Sequence, residues 1–140
     1  LQDEALRLIG ERFGKRVSEM VAHLTNPDYR EMALQAQMSG DPRGELELKS
    51  LFYKQHILDI LERDPEAFLI KLADFSRNAF ELSRLPEGDK LSSLRVKYAP
   101  VILALVEKLK EVPDQGHLLS PWRDDLRAKL LWVYARDYAS

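Results

Sequence analysis

The sequence predicts an all-α protein built as a multi-helix bundle, and three observations support this fold class. Apolar residues recur at spacings of three and four through most of the chain, which is typical of amphipathic helices. Few runs alternate apolar with polar residues, and β-branched residues are sparse, so strands are not expected. Clusters of turn-forming residues separate the apolar segments and predict mostly short loops between about six helices.

The first two predicted helices cover residues 2–12 and 15–25. Gly14 separates them, and Pro27 ends the second one, because a proline disfavours helical geometry in the residue before it. The second helix has apolar residues at helical spacing: Val17, Met20, Val21 and Leu24. Residues 26–44 end in the turn-forming sequence Gly-Asp-Pro-Arg-Gly and are predicted to be the least regular part of the chain.

The third and fourth predicted helices meet at Asp64. Helix three covers residues 45–63, with an apolar face that includes Leu48, Leu51, Phe52, Ile57, Leu58 and Leu61. Asp64 is a suitable N-cap for helix four, since it is followed by Pro65 in the first turn and Glu66 near the positive end of the helix dipole. Helix four is predicted to continue to about Arg84.

The fifth predicted helix covers residues 90–111 and contains Pro100. Because proline removes one helical hydrogen bond and clashes with the preceding turn, we expect the helix to kink or split near Tyr98. The last helix begins at Ser120-Pro121. It carries Trp122 and Trp132, which we expect to pack in the core.

Composition narrows the possible classes of protein. The 140 residues are 45% hydrophobic, which predicts one folded domain with a real core. The net charge of −2 predicts neither a nucleic-acid partner nor an anionic membrane partner. There are no cysteines and no long apolar run, which fits a cytoplasmic protein. The first residue is Leu1, so we expect a partial polypeptide whose domain lacks its N-terminal helices.

One polar stripe on predicted helix four is the best candidate site. At 100° per residue, Lys71, Asp74, Asn78 and Glu81 share one side, opposite an apolar side. Asp74 could bind a metal ion, and the nearby Arg77 could meet a phosphate. A plain solvated helix face is the alternative, because surface helices normally have this pattern. One carboxylate cannot hold a catalytic metal alone.

The three histidines give weaker signals. His56 and Asp59 are one helical turn apart and could reach one metal ion, but this spacing is common by chance and no third ligand is evident. His23 lies on an apolar helix and is expected to be structural. His117 lies in a predicted loop without a recognisable partner.

Three stretches in order resemble the HD-domain metal-dependent phosphohydrolases, and within them the RelA/SpoT-type domain that hydrolyses guanosine 3′-pyrophosphates. The first is the Phe-Gly-Lys-Arg-Val start of residues 13–25. The second is residues 64–78, which contain Ile-Lys-Leu-Ala-Asp and end at an Asn, and the third is Tyr-Ala-Pro at 98–100. The resemblance covers about residues 1–110. It implies an HD-domain-like helical fold and a nucleotide pyrophosphohydrolase activity.

The resemblance also implies roles for single residues. Asp74 would be a metal ligand, usually of Mn²⁺, and Asn78 would help to bind the nucleotide, with Lys71 or Arg77 offering positive charge. The family's other ligands, a His and a His-Asp dipeptide, have no match here and would precede Leu1, so this chain alone is expected to be inactive or very weak. Phe75 stands where the family usually has Arg, which leaves a different nucleotide substrate open.

Two other interpretations remain open at this point. A degenerate HD-like module could bind a ligand or a partner protein without catalysis. An unrelated helical bundle would have Asp74 in open solvent, away from any cleft.

Overall fold

The structure is a computed structural model that describes residues 2–139. This part of the chain contains seven α-helices, two short 3₁₀ turns and no strand, so the all-α prediction is confirmed. No helix within it is long and apolar enough to cross a membrane. The helices are α1 (Gln2–Phe13), α2 (Lys15–Leu24), α3 (Tyr29–Met38), α4 (Glu45–Arg63), α5 (Pro65–Ala79), α6 (Asp89–Leu109) and α7 (Arg123–Asp137).

Helix α6 lies at the centre of the bundle, packed against α4 on one side and α7 on the other. Helix α5 packs against α4 and α2, while α1 packs against α2 and α3 against α4. The buried core comes mainly from α4 to α7, and α2 has no fully buried residue. The largest fully buried side chains include Phe68, Phe75, Leu48, Ile57, Ile102, Leu105, Leu109 and Leu130.

Helix α3 lies in the segment that was predicted to be irregular, so that prediction is wrong for residues 29–38. The carboxylate of Asp28 caps the helix by accepting a hydrogen bond from the Glu31 backbone N–H at 3.0 Å. Only Ala33 is fully buried in α3. The apolar pattern was therefore too weak to predict the helix, which is held by packing on α4.

Helix α5 ends at Ala79, about five residues before its predicted end, and a 3₁₀ turn at Leu82–Arg84 follows. Two side chains at and just after the end of α7 donate hydrogen bonds to the carbonyls at this helix end. The Tyr138 hydroxyl donates to the Ala79 carbonyl at 2.6 Å, and Arg136 Nη2 donates to the Phe80 carbonyl at 2.6 Å. Because these carbonyls already accept hydrogen bonds, the helix can end without a further turn that would supply donors. The donors lie more than 50 residues later in the chain, so the local sequence does not predict this helix end.

Pro100 lies inside α6, but the helix runs continuously across it and the predicted split is not observed. Pro100 has no N–H, so the Val96 carbonyl loses its helical donor. The hydroxyl of Ser50, on α4, lies 3.3 Å from the Val96 carbonyl oxygen and 2.9 Å from that of Lys97. Ser50 is buried, and its one hydroxyl proton lies between these two carbonyls, closer to that of Lys97, so it replaces part of the donor that the proline removes.

This arrangement predicts an energetic coupling between Ser50 and Pro100. We expect Ser50→Ala to lower the free energy of unfolding by about 1–2 kcal/mol, because a buried acceptor loses its donor. In a Pro100→Ala background the helix supplies that donor itself, so the same change should cost clearly less. Urea unfolding of the four proteins of this double-mutant cycle measures the coupling. Equal costs in both backgrounds would refute the pairing.

Candidate functional site

Of the predicted polar stripe, Lys71, Asp74 and Asn78 lie on α5, whereas Glu81 is exposed beyond the end of this helix. Asp74, Arg77 and Asn78 are exposed, whereas Lys71 is buried. The opposite side of the helix is buried as the pattern predicts, through Phe68, Phe75 and Ala79. The exposed residues therefore lie within about one turn of each other near the C-terminal end of α5.

Lys71 is held from the α2–α3 connection. Its Nζ donates to Asn26 Oδ1 at 2.5 Å and lies 5.8 Å from the centroid of the Tyr53 ring. Burial lowers the pKa of Lys71, the charge of Asp74 opposes this shift, and Lys97 adds to it. In this arrangement the amine contacts Asn26 instead of open solvent, and its role as a substrate contact stays a prediction.

Asp74 belongs electrostatically to a cluster of lysines and tyrosines. Lys97 Nζ lies 4.9 Å from the centroid of Tyr53 and 5.2 Å from that of Tyr98. Burial is the main cause that lowers the pKa of Lys97 and raises the pKa values of Tyr53 and Tyr98. The charge of Asp74 opposes the first shift and adds to the other two. Asp74 is thus an exposed carboxylate within the electrostatic range of two half-buried or buried ammonium groups.

Arg77 and Asn78 line an open groove beside α6. This α5–α6 groove has a volume of about 340 Å³ and is lined by Arg77, Asn78, Glu81, Arg84, Leu85, Lys90, Leu94 and Tyr98. Three of these residues are cationic and one is acidic. The groove offers positive charge, an amide that can both donate and accept, and some apolar surface, which suits a phosphorylated ligand with a ring.

A second groove lies on the other side of the α5 end, against α7. This α5–α7 groove has a volume of about 650 Å³ and is lined by Ala73, Ser76, Arg77, Phe80, Glu81, Arg84, Lys129 and Arg136. Trp132 neighbours Lys129 and Arg136 on α7. Both Trp122 and Trp132 are 53% exposed, so the expectation that they pack in the core is wrong.

The described residues do not complete a metal site around Asp74, which is exposed and lines neither groove, the placement expected of an unrelated helical bundle. No group of three or more His, Cys, Asp or Glu side chains within residues 2–139 is placed to hold a metal ion. His56 and Asp59 line a different cavity of about 180 Å³, together with His23. The buried Nε2 of His56 has no hydrogen-bond partner there, and burial lowers the pKa of this imidazole. A carboxylate alone does not fit a resident Mn²⁺.

Asp64 has a larger role than the predicted N-cap. It accepts from the Ala67 backbone N–H at 3.2 Å and from Arg16 at 2.9 and 2.6 Å, and His23 Nδ1 lies 2.8 Å away. Its side chain is 3% exposed. Arg16 is the main cause that holds the pKa of Asp64 well below its usual range. His23 is therefore structural, as predicted, and ties α2 to the start of α5.

The sequence only weakly predicts that Arg16 and His23 are the partners of Asp64. Arg16 and His23 are seven residues apart, or two helical turns, and so share one side of α2. Nothing in the sequence indicated that this side would meet a residue more than 40 positions later. His117 is also structural, since its Nδ1 accepts from the Leu119 backbone N–H at 2.9 Å.

Comparisons with models of protein families, with curated proteins and with solved structures gave no significant match.

Proposed function

We propose that the chain is part of a metal-dependent phosphohydrolase of the HD type that acts on a nucleotide pyrophosphate. Asp74 is one ligand of the divalent metal, and Asn78 and Arg77 contact the nucleotide. The observation that carries the proposal is the common exposure of these three side chains at the end of α5, where Arg77 and Asn78 enter the cationic α5–α6 groove. An HD-like arrangement of the helices is part of this proposal.

The chemistry of each side chain suits its proposed role. A carboxylate is a hard oxygen ligand of the kind that Mn²⁺ and Mg²⁺ prefer. The guanidinium groups of Arg77 and Arg84 can bind phosphate oxygens through paired hydrogen bonds. The amide of Asn78 can donate to an acceptor on the nucleotide and accept from a donor. When bound, a divalent metal would supply an activated water and would polarise a phosphate oxygen.

The proposal requires further metal ligands, because Asp74 is the one carboxylate in the C-terminal half of α5 and residues 2–139 contain no complete group. Imidazoles from outside this part of the protein would have to meet Asp74. We therefore propose that residues 2–139 bind the nucleotide and supply one metal ligand. Bond cleavage is not assigned to them.

Phe75 bears on the identity of the nucleotide. It is buried, at 1% exposure, and stands where the family that the sequence resembles usually has an arginine. No cation can meet the substrate from that position. Arg77, two residues later and exposed, is the cation that α5 offers instead. A guanosine 3′-pyrophosphate is the proposed substrate, and another nucleotide pyrophosphate is consistent with the same groove.

The second candidate function is non-catalytic binding of an anionic ligand by a degenerate HD-like module. The incomplete set of metal ligands within residues 2–139 favours it. This function uses the same α5–α6 groove but needs no metal, so the two candidates make opposite predictions about Asp74.

Replacement of Asp74 tests the proposal in the native, full-length protein. We expect Asp74→Asn to lower bound Mn²⁺ and to reduce metal-dependent hydrolysis of a guanosine 3′-pyrophosphate by at least about 100-fold, because a direct metal ligand is lost. The stability should change by less than about 0.5 kcal/mol, since the side chain is exposed. Metal analysis and pyrophosphate-release assays measure the first two effects, and urea unfolding measures the stability.

The matched control is Asp125→Asn, which removes an exposed carboxylate from α7. It should leave metal content and turnover unchanged. If Asp74→Asn kept the metal content of the wild type, Asp74 would not be a ligand and the non-catalytic binding function would replace the enzymatic one.

A further inference from the structure

The α5–α7 groove concentrates positive charge on a chain whose net charge is −2. Four cationic side chains line it, and Glu81 is the acidic residue among them; the cations are Arg77, Arg84, Lys129 and Arg136. With about 650 Å³, it is the more spacious of the two grooves at the end of α5. Asp74 does not line it, so this groove is distinct from the proposed metal ligand.

Two of the cations are held in place before any ligand arrives. Arg136 donates from Nε and Nη2 to the carboxylate of Asp137, at 3.0 and 2.6 Å, and from Nη2 to the Phe80 carbonyl. Its guanidinium carbon lies 4.5 Å from the centroid of the Trp132 ring, and Lys129 Nζ lies 4.5 Å from the same centroid. Cations that are already ordered lose less entropy when they bind an anion.

Acidic groups offset only part of this charge. Glu81 pairs with Arg84 at 3.3 Å, and Asp137 pairs with Arg136. No ion pair to a carboxylate is found for Arg77 or Lys129 within the described part of the chain. The positive charges of Arg77 and Lys129 are therefore uncompensated. A ligand with at least two negative charges is needed to neutralise both.

We propose that the α5–α7 groove is a metal-independent site for an anion with two adjacent phosphoryl groups. Arginine guanidinium groups match phosphate oxygens in geometry, and the ammonium of Lys129 adds a compact point charge. The lining is mostly polar, so the bound part of the ligand is its phosphate end. The site shares Arg77 and Arg84 with the proposed nucleotide contacts, whereas Lys129 lines this groove and not the other, and it requires neither Asp74 nor Asn78. It goes beyond the proposed function and does not depend on it.

Calorimetric titration of the intact chain with inorganic pyrophosphate, without added metal, tests this site. We expect Lys129→Gln and Arg84→Gln each to weaken binding by about 5–10-fold, because each removes one charge-assisted contact. Both side chains are exposed, so the fold should be unchanged by circular dichroism. Binding should also weaken as ionic strength rises.

The control Lys110→Gln removes the same charge beyond the end of α6, where Lys110 pairs with Glu107. It should change the affinity by less than about 2-fold. No binding of pyrophosphate by the wild type, or equal weakening by all three variants, would overturn the proposal. Weakening by Arg84→Gln but not by Lys129→Gln would also overturn it, since pyrophosphate would then lie in the α5–α6 groove. Tighter binding of a polyglutamate peptide than of pyrophosphate would also overturn it, since the groove would then accept an acidic protein segment.

Discussion

Phe75→Ala should lower the free energy of unfolding by about 3–5 kcal/mol, the range for truncating a fully buried aromatic residue. Phe75 is 1% exposed, and its ring centroid lies 5.4 Å from Tyr98, 6.1 Å from Phe80 and 6.3 Å from Tyr53. The change removes apolar burial and, at the same time, two edge-to-face ring contacts, with Phe80 and Tyr98. Because small domains are stable by only about 5–15 kcal/mol, the variant should lose a large part of its stability.

Urea unfolding monitored by circular dichroism measures this loss. Ile70→Ala is the matched control, since it truncates an apolar residue of the same helix that is 51% exposed. We expect the control to cost less than about 1 kcal/mol. Similar costs for the two variants would mean that the aromatic residues around Phe75 are not tightly packed.

Asp64→Ala is expected to cost about 3 kcal/mol of stability. The change removes the N-cap of α5 and leaves Arg16 and His23 without their shared carboxylate. Arg16 remains about half exposed, so water compensates for part of its loss. Asp28→Ala is the control, because Asp28 caps α3 through one hydrogen bond to Glu31 and should cost about 1 kcal/mol. Equal costs would show that the contacts between α2 and Asp64 contribute nothing.

The contribution of Asp64 should also depend on pH. Its pKa is lowered in the folded protein, mainly by hydrogen bonds from Arg16, while burial opposes the shift. A lowered pKa means that this stability is present above the unfolded value of about 3.9 and is lost as pH falls toward the folded value. The difference in unfolding free energy between wild type and Asp64→Asn should therefore shrink below about pH 4. A difference that does not change with acidification would contradict the ion pair.

Local sequence patterns were sufficient to predict most of the helices and several of their boundaries. The turn at Gly14 and the Asp64-Pro65 start of α5 depend on neighbouring residues, and the structure has both boundaries at these positions. Helix α3 and the end of α5 depend on distant contacts instead. Helix α3 packs on α4 and buries Ala33, and the end of α5 is fixed by hydrogen bonds from Arg136 and Tyr138. The residues next to these two elements in the sequence do not predict such contacts.

The candidate site was predictable in part for the same reason. Helical periodicity correctly placed Asp74, Arg77 and Asn78 on one exposed side of α5. Periodicity could not predict that Lys71, one turn earlier, would be buried against Tyr53 and tied to Asn26. The cationic α5–α7 groove was not foreseen either, because it forms only when α7 lies against the end of α5.

The proposed roles of Asp74, Arg77 and Asn78 all depend on a nucleotide pyrophosphate being the substrate. The most direct measurement is release of pyrophosphate from guanosine 3′-pyrophosphates, and then from other nucleotide pyrophosphates, by the native full-length protein with Mn²⁺. We expect turnover that stops when a chelator removes the metal and returns when Mn²⁺ is restored. No release from any of these nucleotides with any divalent metal would contradict the enzymatic proposal and leave ligand binding as the function of this helical domain.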